Sequence, residues 1–124
     1  MASPKKPPKH DHWMPLYIAD YLGDTMHLTT EQHGAYLLLL MASWKADGKL
    51  PGDPAALAAI TRMTPQGWAR IQPVIEPFFF ASNDSWVHKR VRAELEKARA
   101  KVEKASKAGA IAARSRWGLN GGDE

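Results

Sequence analysis

The sequence predicts an α+β, mainly helical domain of winged-helix type followed by a long basic C-terminal helix. Three observations carry this prediction. Asp53-Pro54 and Thr64-Pro65 each pair a capping residue with a proline suited to the first helical position, so two short helices follow one another closely. Such a pair is the outline of a helix-turn-helix. Next, Ser82-Asn83-Asp84-Ser85 separates Phe78-Phe79-Phe80 from Trp86-Val87-His88, the pattern of a β-hairpin wing. Finally, Lys89 to Trp117 has no proline and Gly109 as its one glycine, which as a single helix would extend about 45 Å.

Taken in chain order, residues 1–12 are rich in Pro and Lys and read as a disordered basic arm. Trp13 to Leu22 reads as a lead-in and short helix stopped at Gly23. Thr29 and Gln32 match a capping box that opens a second helix through Leu37-Leu38-Leu39-Leu40 to Trp44, stopped before Gly48. This helix is apolar nearly all round and is expected to be central. Leu50-Pro51-Gly52 reads as a turn. In the second helix of the helix-turn-helix, Pro73 is expected to bend or shorten it. The organisation is therefore an arm (1–12), a winged-helix-like domain (13–92), a projecting basic helix (93–118) and a flexible tail (119–124). Leu38, Leu39, Trp44, Leu57, Ile60, Ile71, Phe78 and Trp86 form the expected core.

Charge divides the chain. Residues 13–88 carry four basic and seven acidic groups, whereas residues 89–118 carry ten basic and three acidic. A basic segment on an acidic body points to a polyanionic partner. Cysteine is absent, which removes thiol catalysis and disulfide scaffolds and suits a cytoplasmic setting. No apolar run approaches the about 18 residues of a membrane span, and no signal peptide opens the chain.

The spaced residues Trp13-x-Pro15-x-Tyr17, Asp20-Tyr21-Leu22-x-Asp24-Thr25, His27-Leu28-Thr29 and Gly34-Ala35-Tyr36-x-Leu38-Leu39 form a distinctive opening. With Trp86-x-His88-x-Arg90 and Ala112-Ala113-Arg114-x-Arg116-Trp117, they resemble the YdaU-like family of phage and prophage domains of unknown function. That resemblance implies similarity to the winged-helix modules at the front of phage replication initiators. It carries over no catalytic residue, and many relatives continue into a longer C-terminal region.

No nucleophile triad, phosphate-cradling glycine loop or acid/base pair stands out, so an enzyme is not expected. Neither cofactor nor metal is expected. Asp20, Asp24 and His27 stand at i, i+4 and i+7, but a break at Gly23 would part them, and His10-x-His12 has no third ligand nearby. The candidate chemistry is DNA contact. Arg62, Gln66 and Arg70 on or beside the second helix could read base edges. On the last helix, Lys89, Arg90, Lys97, Lys101 and Lys104 could follow a phosphate backbone, Arg90, Lys97, Lys101 and Lys104 within about a 60° stripe. Arg114 and Arg116 beside Trp117 suit phosphate contact with stacking. The competing pattern is a solvated helix, with Arg90–Glu94, Arg92–Glu96, Arg99–Glu103 and Glu103–Lys107 at i,i+4. A narrow seam of Val91, Leu95, Ala98, Val102, Ala105, Gly109 and Ala112 could support a homo-oligomer. The expected function is a non-enzymatic DNA-binding or nucleoprotein-assembly module tied to replication initiation, with DNA and a phage or host replication protein as partners. A protein–protein adaptor that oligomerises through the last helix, or a winged-helix transcriptional regulator, is the alternative.

Overall fold

The computed structural model describes residues 13–117, with side chains from 13 to 109; the predicted arm and tail lie outside this range. Trp13–Leu95 forms one compact unit, and the described residues from Glu96 to Trp117 belong to a second. The fold is α+β and mainly helical, with a small antiparallel sheet of three strands.

Helix α1 spans Ile18–Asp24, so Gly23 lies inside it and does not stop it. The helix ends one residue later because Thr25 satisfies the Tyr21 carbonyl twice, from its backbone N–H at 3.1 Å and its hydroxyl at 2.7 Å. Helix α2, Thr30–Lys45, opens on the expected capping box, in which Thr29 and Gln32 each receive the other's backbone N–H. Its chain exit uses two left-handed residues, Asp47 and Gly48, and the Gly48 N–H closes on the Ser43 carbonyl at 2.7 Å. Burial is less complete than an all-apolar helix suggests. Ala35, Tyr36, Leu39, Leu40, Ser43 and Trp44 are buried, Leu37 and Leu38 are half-buried, and Met41 faces solvent.

Leu50-Pro51, expected as a turn, is strand β1. It pairs with β3 (Ser85–Val87) in the register Leu50↔Trp86, and β3 pairs with β2 (Phe80–Ala81) in the register Ala81↔Trp86. Sequence reading passed over β1 because two residues carry no alternation, and because Pro51 can occupy an edge strand without a donor. The hairpin itself is present, but Phe78 sits in a 3-10 turn (Glu76–Phe78), so β2 begins two residues later. Ser82 fastens its loop by accepting the N–H groups of Asp84 and Ser85.

Between β1 and β2 lie α3 (Pro54–Ile60), capped by Asp53, and α4 (Pro65–Ile75), capped by Thr64. Pro73 does not shorten α4, which continues to Ile75. Helices α2, α3 and α4 pack on one another, and the sheet closes the core. Leu39, Leu57, Trp68, Ile71, Ile75 and Trp86 are at most 2 % exposed. The indoles of Trp68 and Trp86 lie 5.7 Å apart, joining the second helix of the pair to the middle strand. Of the expected core, Trp44 is also buried, while Leu38, Ile60 and Phe78 are half-buried. Helix α5, Lys89–Trp117, seals the compact unit with Val91 and Leu95.

Candidate nucleic-acid interface

The α3–α4 pair turns at Thr61-Arg62-Met63. Arg62 takes a positive φ of 61°, and the N–H of Met63 returns to the Ala58 carbonyl at 2.9 Å. The Thr64 hydroxyl then accepts the Gly67 N–H, which sets the direction of α4. Arg62, Gln66 and Arg70 are all exposed, as the sequence reading requires. Arg70 is engaged, however. Its two terminal nitrogens donate to the two carboxylate oxygens of Glu31 on α2 at 2.9 and 3.2 Å. That contact holds the Glu31 carboxyl below, and the Arg70 guanidinium above, their ordinary values. Lys89 and Arg90 open α5 and are exposed. Arg90 lies 3.3 Å from Asp20 on α1 and 5.0 Å above the ring of Tyr17, which precedes that helix.

In the second unit, Lys97, Lys101 and Lys104 are exposed on α5. Glu103–Lys107, one of the expected i,i+4 pairs, forms at 3.7 Å. In the seam, Val91 and Leu95 are buried, Ala98 is half-buried, and Val102, Ala105 and Gly109 are exposed. The side chains of Ala112, Arg114, Arg116 and Trp117 lie outside the described range, although α5 extends to Trp117.

A family described as "Protein of unknown function (DUF1376)" matches residues 12–96. The chain belongs to the DUF1376 family. It is also similar to "Uncharacterized protein YdaU" of Escherichia coli (strain K12), 43% identical over 104 residues. That alignment covers 84% of this chain and 36% of the relative, so the chain spans about a third of the length of the curated relative it matches. No solved structure matches. The DUF1376 match runs almost residue for residue over the compact unit.

Within that DUF1376 unit lies a cavity of about 110 Å³ that sequence reading missed. Its walls come from the N-terminal segment, α1, α2, the 3-10 turn and the start of α5. Tyr36 is 4 % exposed, stacks on Tyr21 at 5.7 Å and lies 4.5 Å from Phe78. Its hydroxyl meets His88 Nε2 at 2.8 Å. His88 precedes α5, and its Nδ1 accepts the Val91 N–H at 3.3 Å. Nδ1 therefore holds a lone pair, and the proton of the neutral ring sits on Nε2. It follows that His88 donates and Tyr36 accepts, leaving the Tyr36 hydroxyl proton for another acceptor. Burial, with help from the Arg90 charge, lowers His88 to about 4, while Asp24 pulls the other way. Burial also raises Tyr36, so its proton is held firmly. At the rim, the Tyr17 hydroxyl donates to Glu94 at 3.1 Å. Asp20, Asp24 and His27 do not converge as a metal site would require: Asp20 meets Arg90, and His27 stacks on Phe78 at 5.7 Å. Among the described residues no three His, Asp or Glu side chains are grouped to hold a metal. The aromatic spacing quoted above was the available signal for this cavity, but it gave no register between segments far apart in sequence.

Proposed function

We propose that this chain is a non-enzymatic, winged-helix DNA-binding or nucleoprotein-assembly module of phage or prophage origin, serving replication initiation in the cytoplasm. The winged-helix reading is supported by the order helix, strand, helix, helix, strand, strand from α2 to β3, with β1 beside the later hairpin. The observation that carries the DNA reading is the exposure of Lys97, Lys101 and Lys104 on one stripe of the long basic helix. Arg62 and Gln66 are also exposed, at a helix start where base edges could be read. A salt titration of duplex binding tests the proposal. The triple change of Lys97, Lys101 and Lys104 to Gln should flatten the log–log salt slope by up to about 0.9 per lost phosphate contact. An unchanged slope would overturn the assignment of these lysines.

A second reading has its own observation. Ile18, Leu22 and Met26 are 65%, 58% and 86% exposed, an apolar run suited to a protein partner. On that reading the chain is an adaptor, DNA binding is negligible from the start, and removing residues 103–118 lowers oligomer mass.

A further inference from the structure

We propose that the outer face of α1 is the contact through which two copies of this chain associate. Resting on the adaptor reading's apolar run, this assignment names a second copy as the partner and moves the contact from α5 to α1.

Helix α1 divides cleanly by face. At 100° per residue Asp20, Tyr21 and Asp24 fall on one side, and all three line the cavity. Ile18, Ala19, Leu22 and Gly23 fill about 140° of the other side, and all four are exposed. No residue of the helix is buried. Its orientation is nonetheless set from within, since Tyr21 stacks on Tyr36 at 5.7 Å and its hydroxyl lies 3.0 Å from His33 Nδ1. The outer face is therefore preformed, which lowers the cost of docking.

Area favours α1 over α5. Of the nine large hydrophobic side chains exposed among the described residues, six lie between Trp13 and Met26. Trp13, Ile18, Leu22 and Met26 are each more than half exposed, which leaves on the order of 500 Å² of apolar surface per copy. One side of a standard interface buries about 800 Å², a little over half of it non-polar. The two quantities match. The exposed part of the α5 seam offers only Val102, Ala105 and Gly109, whose small side chains bury much less.

A second copy fits because the outer face carries no charge. Two such faces pair about a two-fold axis without bringing like charges together or burying an unmatched one. Gly23 agrees with close approach. A Cβ there would meet nothing within 4 Å, so packing within the body does not require its small size. With Ala19 one turn away, it leaves room for a second helix to come near. Leu22 is the midpoint of the strip from Ile18 to Met26, so antiparallel pairing sets the Leu22 side chains of the two copies opposite each other.

Sedimentation equilibrium of the full chain over a concentration series tests this. The mass should rise from 13.8 kDa toward twice that value. Leu22→Glu and Leu22→Lys should each weaken association at least ten-fold. An equimolar mixture of the two should recover it, because opposite charges then meet across the axis; recovery also shows that both variants fold. Val102→Glu should leave association unchanged. A chain that stays monomeric would overturn the proposal, as would a mixture that fails to recover. Association lost in Val102→Glu but kept in Leu22→Glu would overturn it in favour of the adaptor reading's α5 contact, so the two can fail separately.

Discussion

His88 does at residue scale what its position before α5 demands. One nitrogen caps the helix through the Val91 N–H, and the other bonds Tyr36. The folded ring is held at about 4, whereas an exposed histidine titrates near 6.5. Between those values the unfolded chain takes up a proton that the folded chain refuses. Stability is therefore intact above about pH 6.5 and declines as pH falls toward 4. Thermal melts of the wild type and His88→Asn between pH 7.5 and 5 should show the weaker pH dependence in the variant. Equal dependence would assign the titration to another group. Leu39, with 0 % exposure, tests packing: Leu39→Ala should cost about 2–5 kcal/mol in denaturant unfolding. This residue was legible beforehand because it sits within a capped apolar run. The Tyr36–His88 bond was not, because it joins residues 52 positions apart whose types are compatible with many surroundings.

Elements differ in how openly the sequence declares them. Helices α2, α3 and α4 announce themselves through Thr29, Asp53 and Thr64, each of which caps in the structure as its spacing requires. Strand β1 does not, since its reason for existing is Trp86, far along the chain. Gly52 beside it shows the same distant constraint. A Cβ there would stand 2.5 Å from the Ser82 carbonyl oxygen and 2.7 Å from that of Asn83. Gly52→Ala should therefore force the hairpin loop away and cost about 1–3 kcal/mol, readable as a lower urea midpoint. For α4, the Glu31–Arg70 contact yields a binding prediction. If this helix enters a groove, Arg70 must exchange Glu31 for DNA, so Glu31→Gln should tighten duplex binding. The gain should vanish in the Glu31→Gln/Arg70→Gln double variant. Equal tightening in both would mean that Glu31 acts only through its negative charge. The exposed cations on α4 and α5 were visible in the sequence, but the partners of Arg70 and Arg90 were not.

For the whole molecule, the boundary after Leu95 makes a claim about independence. A chain shortened after Arg99 should keep a cooperative melt, because Val91 and Leu95 remain to cover the core. One shortened after Arg90 should lose it, since both buried side chains go. The same sheet that makes β1 hard to read also orders events in time. The middle strand, β3, is the last of the three along the chain, yet both neighbours pair with it and Trp86 lies against Trp68 and Phe79. During synthesis, β1, α3 and α4 leave the ribosome with their inward faces uncovered, because the piece that unites them has not been made. Chaperone dependence should thus be greatest for nascent chains ending before residue 86 and fall once β3 and the first turns of α5 have emerged.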